Sequence, residues 1–272
     1  MILLLNMKAI KPAIKSFGGK SGFINKLVSY FPKWETYDIF IDAFGGSGAV
    51  TLSQPRGKVE IYNDINKNIY SVYKVISDPT LFEEFKKKCD LALYMSDLRR
   101  EFKEKIKTQS VSLVERAFMF WYINRASHNG VGGFSTTCCV RRNMSKSTSD
   151  FLSSIDRLKE MHDRFSSIIV ENRDAIELME KYNQSNVFMY LDPPYHQGTR
   201  GPARYVHDYT DAEHEKFIDC VLGLKSKVLI SGYACEAYKR LETKFKRIEF
   251  NVNTIDGNFE PKTKVESLWS NY

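Results

Sequence analysis

Four short apolar runs, each closing on a turn or a polar residue, constrain this chain more than any other feature. Residues 39–44 (Ile-Phe-Ile-Asp-Ala-Phe) end in Gly45-Gly46-Ser47-Gly48. Residues 59–64 (Val-Glu-Ile-Tyr-Asn-Asp) alternate and end on an acid. Residues 186–191 (Asn-Val-Phe-Met-Tyr-Leu) run straight into Asp192-Pro193-Pro194-Tyr195, and residues 227–231 (Lys-Val-Leu-Ile-Ser) show the same buried-strand pattern. Helical stretches over about 66–76, 175–183 and 211–224 separate them. Strands alternating with helices predict an α/β fold, a mostly parallel sheet with helices on both faces. Two later strands, 246–252 and 265–270, alternate with period two, and a turn-rich link from Asp256 to Pro261 suits an antiparallel pair.

Between about 74 and 164 the pattern changes. Helix-like segments (81–106, 112–126 and 150–165) surround a polar loop from 127 to 149. This third of the chain carries 17 Lys and Arg against 12 Asp and Glu, a net +5 of the +7 of all 272 residues. Residues 116–149 hold no acid, yet carry Arg116, Arg125, Arg141, Arg142 and Lys146 beside Asn124, His128 and Asn129. A solvated basic loop is the plain explanation. Thirty-four residues without a carboxylate favour a surface that meets phosphate.

Composition excludes several classes. With 43% hydrophobic and 13% aromatic residues the chain can bury a core, so wholesale disorder is excluded. No run of 18 apolar residues exists, so no transmembrane helix is expected. The start has one four-residue apolar run, 2–5, too short for a secretory segment, and Met7 is an alternative start. The five cysteines (89, 138, 139, 220, 235) form no C-x-x-C pair. Reduced thiols in a cytoplasmic protein without a metal site are expected.

The strand–glycine–helix passage at 39–55 has the form of a nucleotide loop. Thr51 stands where a dinucleotide fingerprint needs its third glycine, so a pyrophosphate ligand is not indicated. Asp64 ends the next strand, where a carboxylate can accept from ribose hydroxyls; it can equally cap the helix that follows. Lys20, after Gly18-Gly19, could hold an anionic group.

Asp192-Pro193-Pro194-Tyr195 is the most specific local signal. Two prolines stiffen the backbone and remove two N–H donors. The Asp192 carboxylate and a proline carbonyl become fixed acceptors, and Tyr195 adds a flat ring. Two acceptors and a ring suit a planar heterocyclic amine. Accepting its hydrogens favours the positive charge that develops when the nitrogen is methylated. Fixing the amine in line with an activated methyl adds a large orientation effect. An ordinary carboxylate is too weak a base to ionise such an amine beforehand.

On these residues the chain resembles the N6-adenine DNA methyltransferases of the Dam type, the D12 class. The resemblance runs from Lys15–Lys20 through Phe44–Gly48, Asn63-Asp64-Ile65-Asn66, Asn124-Arg125, Asn129-Gly130 and Asp192–Tyr195 to Glu266–Tyr272. Glycine loop, insertion, then Asp-Pro-Pro-Tyr is the alpha order of amino methyltransferases. The resemblance implies a Rossmann-like sheet for 1–73 and 165–272, a target-recognition domain at 74–164, and S-adenosylmethionine as cofactor. It implies that Phe44, Gly45, Gly46, Ser47 and Gly48 line the cofactor pocket. Asp64 would hold the ribose, Asp174 (after a strand at 167–172) the adenine amino group, and Lys20 the carboxylate. Asp192, Pro193, Pro194 and Tyr195 would grip an adenine flipped from the duplex, with Asp192 also beside the cofactor.

Two departures have consequences. The family writes Lys-Trp-x-Gly-Gly-Lys where this chain has Ser16, so an aromatic platform would come from Phe17. Members that methylate GATC carry an Arg shortly after an Asn-Gly pair, reading guanine. Here Asn129-Gly130-Val131-Gly132-Gly133-Phe134 has none, which speaks against GATC. Asn124, Arg125, Asn129, Arg141, Arg142 and Lys146 are the candidates for base or phosphate contact. Arg200 and Arg204 lie in a loop that either closes over the base or is plain surface. The expected partner is double-stranded DNA, with a cognate restriction endonuclease and a monomer or weak dimer as further expectations. RNA or another amino group is the alternative acceptor, and a non-catalytic nucleic-acid binder the third reading. The first Asp of the tetrapeptide argues against protein amides, whose enzymes have Asn there.

Overall fold

The computed structural model describes residues 10–15, 20–196, 207–255 and 261–272, apart from the side chains of 21, 253–255, 261, 262 and 264. The strands are β1 (Ile39–Asp42), β2 (Val59–Asn63), β3 (Val140–Arg141), β4 (Met144–Ser145), β5 (Ile169–Glu171), β6 (Val187–Leu191), β7 (Lys227–Gly232), β8 (Lys246–Ile255) and β9 (Pro261–Ser270). The helices are α1 (Ile24–Val28), α2 (Ala49–Ser53), α3 (Lys67–Ser77), α4 (Pro79–Asp90), α5 (Ser96–Thr108), α6 (Leu113–Arg125), α7 (Lys146–Asp156), α8 (Leu158–Phe165), α9 (Ala175–Lys181) and α10 (Asp211–Leu222). The chain divides into two compact units. One comprises Met1–Ile24, Gly46–Pro55 and Lys67–Val170; the other comprises Asn25–Gly45, Arg56–Asn66 and Glu171–Tyr272.

A seven-stranded sheet has the order β5-β2-β1-β6-β7-β9-β8, and six of its strands lie wholly in the second unit. β1 pairs in parallel with β2 and β6, and β6 with β7. β9 runs antiparallel to β7 and to β8. The sheet expected from the four apolar runs is therefore present, with the antiparallel pair at its edge. The all-apolar reading of β6 follows from its place: all five residues are buried between β1 and β7. Ile41, Ile61, Met189, Leu191, Val228 and Ile230 share a core with Leu178 and Met179 of α9 and Phe217, Ile218 and Val221 of α10. Phe31 packs its ring against Phe40, Phe188 and Tyr190. Chain order reverses between β1 and β6, which makes the crevice beyond their carboxyl ends the topological switch point.

The first unit is largely helical. Its longest segment is Lys67–Val170, in which α3 packs on α6 and α8. The segment expected as one helix over 81–106 is two. α4 starts on Asp78, whose carboxylate accepts from Thr80 N and Leu81 N with Pro79 at the first turn. It stops at Asp90, and α5 begins at Ser96. Residues 91–95 (Leu-Ala-Leu-Tyr-Met) are good helix formers, so propensity does not break them. A tertiary contact does: the Tyr122 hydroxyl receives Met95 N at 2.8 Å and lies 2.6 Å from Leu93 O. The expected helix 150–165 likewise begins earlier and divides at Arg157 into α7 and α8. Within the polar loop, β3 and β4 form a short hairpin turned at Arg142 and Asn143, both left-handed with φ of 53° and 56°. Two positive φ values at the centre of a two-residue turn match the twist of hairpin strands. No glycine marks this turn in the sequence.

Candidate active site

In the second unit, β1 and β6 deliver their following residues to the switch point. After β1, Gly45 N donates to Asn63 O at 2.7 Å. A Cβ on Gly45 would lie 2.2 Å from Tyr62 Cε2. The Tyr62 ring alone therefore requires glycine at 45. Phe44 sets its ring edgewise to Tyr209 and Phe217. Asn63, buried, ties three chain segments together. Its Nδ2 donates to Ala43 O and Arg173 O, and its Oδ1 accepts from Arg173 N.

The two expected adenosine-binding acids stand at the carboxyl ends of neighbouring strands. Asp64 follows β2, and its Oδ1 accepts from Asn66 N at 2.8 Å. Asp174 follows β5 and caps α9, accepting from Ile176 N and Glu177 N. Both cap bonds use Oδ1, so Oδ2 takes no part in the cap. Asp64 sits just before α3, at a turn closed by its bond with Asn66 N.

Asp192 follows β6. Its Oδ1 accepts from Ser231 Oγ at 2.9 Å, and Ser231 Oγ lies 2.7 Å from the Tyr190 hydroxyl. The register explains the meeting. Leu191 pairs with Ile230, so the next step along both strands sets Asp192 beside Ser231. Tyr190 and Asp192 are two residues apart and share a face. Pro193 is buried and the described chain contains no cis peptide. Tyr195 donates its hydroxyl hydrogen to Glu266 Oε1 at 2.9 Å, and its ring meets Tyr233 at 4.6 Å between centroids. Glu266 is a buried carboxylate on β9. His196 Nε2 lies 3.0 Å from Asp211 Oδ1, at the first residue of α10. Ser231, Tyr190, Glu266 and Tyr233 are the residues that the sequence reading missed.

The first unit holds the remaining candidates. Gly46 and Gly48 are left-handed, with φ of 52° and 72°. Gly48 precedes α2, and the Tyr73 hydroxyl donates to Ser47 O. Lys20 is buried, its Nζ 5.7 Å from the Phe23 ring centre. Asn124, expected to contact DNA, turns inward instead. Its Oδ1 accepts from Lys15 N at 2.7 Å and its Nδ2 donates to Lys15 O at 2.8 Å, as a β partner would. Lys15 Nζ donates to Arg125 O and Ser127 O, at the carboxyl end of α6. Arg125 Nη2 donates to Pro12 O. Burial, then the charge of Arg125, pushes the Lys15 amine down to about 8. Burial, then Arg157, pushes the Arg125 guanidinium down to about 10. Asn124 and Arg125 together fasten the segment 12–15 to α6.

The exposed candidates are Asn129, left-handed at φ 50°, and the hairpin group. Arg141 Nη1 and Lys146 Nζ share the Asp150 carboxylate at 2.6 and 2.8 Å. Burial raises the Asp150 carboxyl, but Lys146 and Arg141 outweigh it and hold the group low. The stretch that is acid-free in sequence is therefore not acid-free in space: the balancing carboxylate lies one residue beyond it. Arg142 Nη1 donates to Ser153 Oγ at 3.1 Å. Phe17, Arg200 and Arg204 lie outside the described residues. Among the described residues, no three His, Cys, Asp or Glu side chains gather as a metal site requires, and no helix is long and apolar enough to cross a membrane.

A mostly parallel sheet with a carboxylate–proline turn at its switch point and acids at the ends of two adjacent strands fits the fold of S-adenosylmethionine-dependent methyltransferases. The sequence profile of the D12 class N6 adenine-specific DNA methyltransferases matches residues 16–254, and the chain belongs to that family. It is 25% identical over 207 residues to the Type II methyltransferase M.MjaIII of Methanocaldococcus jannaschii, covering 68% of this chain and 69% of that protein. It is 23% identical over 194 residues to the Type II methyltransferase M.CviBI of Paramecium bursaria Chlorella virus NC1A, again 68% and 69% of the two chains. The activity is methylation of adenine in DNA.

Proposed function

We propose that this chain binds S-adenosylmethionine through the residues at the carboxyl edge of its sheet and methylates the N6 amine of an adenine flipped out of double-stranded DNA. The observation that carries the reading is the Asp192 carboxylate, fixed by Ser231 at the end of β6 beside the switch point. The donor set suits the cofactor: its adenosine part offers two ribose hydroxyls and an amine, and Asp64 and Asp174 are acceptors on adjacent strand ends. Phe44, Gly45, Gly46, Ser47 and Gly48 supply the loop, Lys20 a buried cation for the carboxylate, and Phe17 an aromatic face. When bound, the cofactor supplies an electrophilic methyl group.

The chain's own residues do the rest. Asp192 and the carbonyl of Pro193 accept the two amine hydrogens, and Pro194 holds the turn. The nitrogen then faces the methyl with its lone pair less committed to the ring. As the N–C bond forms, the nitrogen becomes acidic, and the hydrogen-bonded Asp192 carboxylate is positioned to take the proton that it sheds. The Tyr195 ring supports the flipped base. No metal enters this scheme. Arg141, Arg142 and Lys146 form the phosphate-facing group, and Asn129, Arg200 and Arg204 are further candidates for contact with DNA. The surface ion pairs with Asp150 are weak enough to exchange for phosphate. Both named relatives are Type II methyltransferases, which supports a cognate restriction endonuclease as partner; the cytoplasm is the proposed location. A monomer or weak dimer completes the proposal, with the target sequence open and GATC disfavoured by the missing Arg.

Transfer of a tritiated methyl group to duplex DNA, single-stranded DNA and RNA tests the reading. Labelling of duplex DNA is expected. Labelling of RNA alone would establish the alternative acceptor.

A further inference from the structure

We propose that Ser231, on the strand next to the Asp-Pro-Pro-Tyr turn, is a positioning residue for methyl transfer. Its hydroxyl aims the Asp192 carboxylate at the amine, and Tyr190 sets the direction of that hydroxyl. This rests on the role given to Asp192 above.

Ser231 and Tyr190 are both buried, at 0% and 1% exposure. Strand interiors of this kind normally carry apolar side chains, as Val228, Leu229 and Ile230 do immediately before. An alanine at 231 would keep the strand's small side chain but remove the hydroxyl that Tyr190 and Asp192 Oδ1 both meet. The hydrogens can be ordered from the geometry. A serine hydroxyl has one hydrogen, and Ser231 gives it to Asp192 Oδ1 at 2.9 Å. In the 2.7 Å contact with Tyr190, Ser231 must then be the acceptor and Tyr190 the donor. Tyr190 → Ser231 → Asp192 is thus a one-way chain ending on the carboxylate, with each member on a rigid strand or at its end.

A carboxylate at the end of a strand can swing about two side-chain torsions. The donor from Ser231 removes that freedom and assigns Oδ1 to the protein. A near-attack arrangement depends on such fixing, and a misplacement of about 1 Å can cost roughly a hundredfold in rate. Ser231 touches neither reactant in this scheme. It acts through Asp192.

Steady-state transfer of tritiated methyl to unmethylated duplex DNA by the full-length chain tests the inference. Ser231→Ala should lower kcat roughly tenfold, the scale of a lost hydrogen bond to a charged group. KM for S-adenosylmethionine and affinity for DNA should stay unchanged. Tyr190→Phe should lower kcat in the same pattern by less, and Ser231→Thr, which keeps the hydroxyl, should restore most of it. A Ser231→Ala enzyme with unaltered kcat, beside an inactive Asp192→Asn enzyme, overturns the inference and leaves the role of Asp192 standing. An Asp192→Asn enzyme that is fully active removes the reading beneath it. If Ser231→Ala does not fold, Tyr190→Phe decides: an unchanged kcat, or a loss shared equally by KM and kcat, contradicts the relay.

Discussion

The carboxyl edge of the sheet and the basic hairpin loop are built on opposite principles. At the sheet edge, polar side chains are buried and committed to long-range partners: Ser231 with Asp192, Tyr195 with Glu266, Asn63 with Ala43 and Arg173. At the hairpin, Arg141 and Lys146 are exposed and share one carboxylate. Buried hydrogen bonds cost heavily when broken and so fix geometry. Exposed ion pairs are worth little and so release their cations to another anion. Chemistry that depends on angles suits the first environment, and binding that must tolerate many sequences while a target is sought suits the second.

Substitutions can break this contrast in turn. Asp192→Ala should have the largest effect, abolishing transfer by at least about a hundredfold, while calorimetry still records cofactor binding. Turnover near that of the unsubstituted enzyme would remove Asp192 from the chemistry. Next, Asn124→Leu should lower stability by about 1–3 kcal/mol, because it strands the Lys15 N–H and C=O that the amide now pairs. Denaturant unfolding reads this. A large change in the salt dependence of DNA binding, with stability intact, would return Asn124 to the DNA contacts. Gly48→Ala should cost about 1–2 kcal/mol for its left-handed backbone, measured the same way.

Charge reversal at Arg141 and Arg142 should weaken binding to all DNA sequences alike. The slope of log affinity against log salt should flatten by about one to two units, with kcat at saturating DNA preserved. An unchanged slope would show that the hairpin does not meet phosphate. The smallest effect concerns Lys15. Its amine is lowered in the folded protein to about 8 from 10.5, so the unfolded chain holds more protons between those values. Its contribution to stability should therefore rise as pH climbs from about 8 to 10.5, and a Lys15→Met variant should lose that rise. Parallel curves for the two proteins would contradict it.

The same contrast explains what could be read in the sequence. β1, β2, β6 and β7 were legible because a buried strand writes its environment into consecutive residues, and Asp192-Pro193-Pro194-Tyr195 because the whole turn is local. Ser231 and Glu266 were not legible, since they meet their partners across 39 and 71 residues. A Ser in an apolar strand and a Glu in an alternating one carry no local sign of that. The break between α4 and α5 escaped because a hydroxyl on α6 imposes it against good helix propensity. Asn124 looked like a ligand-facing amide because its company was basic and polar; its burial depends on a chain segment 109 residues away. The charge of the hairpin was misjudged by one residue, since the window closed at 149 and Asp150 supplies the counter-charge.

The most direct measurement concerns where the methyl group goes. Duplex DNA labelled by this chain with tritiated S-adenosylmethionine would be digested to nucleosides and separated chromatographically. A site built from Asp192, the following prolines and Tyr195 predicts that the label runs with N6-methyldeoxyadenosine and vanishes when Asp192→Ala replaces the enzyme. Label running with a methylated cytosine, or adenine label that persists in Asp192→Ala, would contradict it.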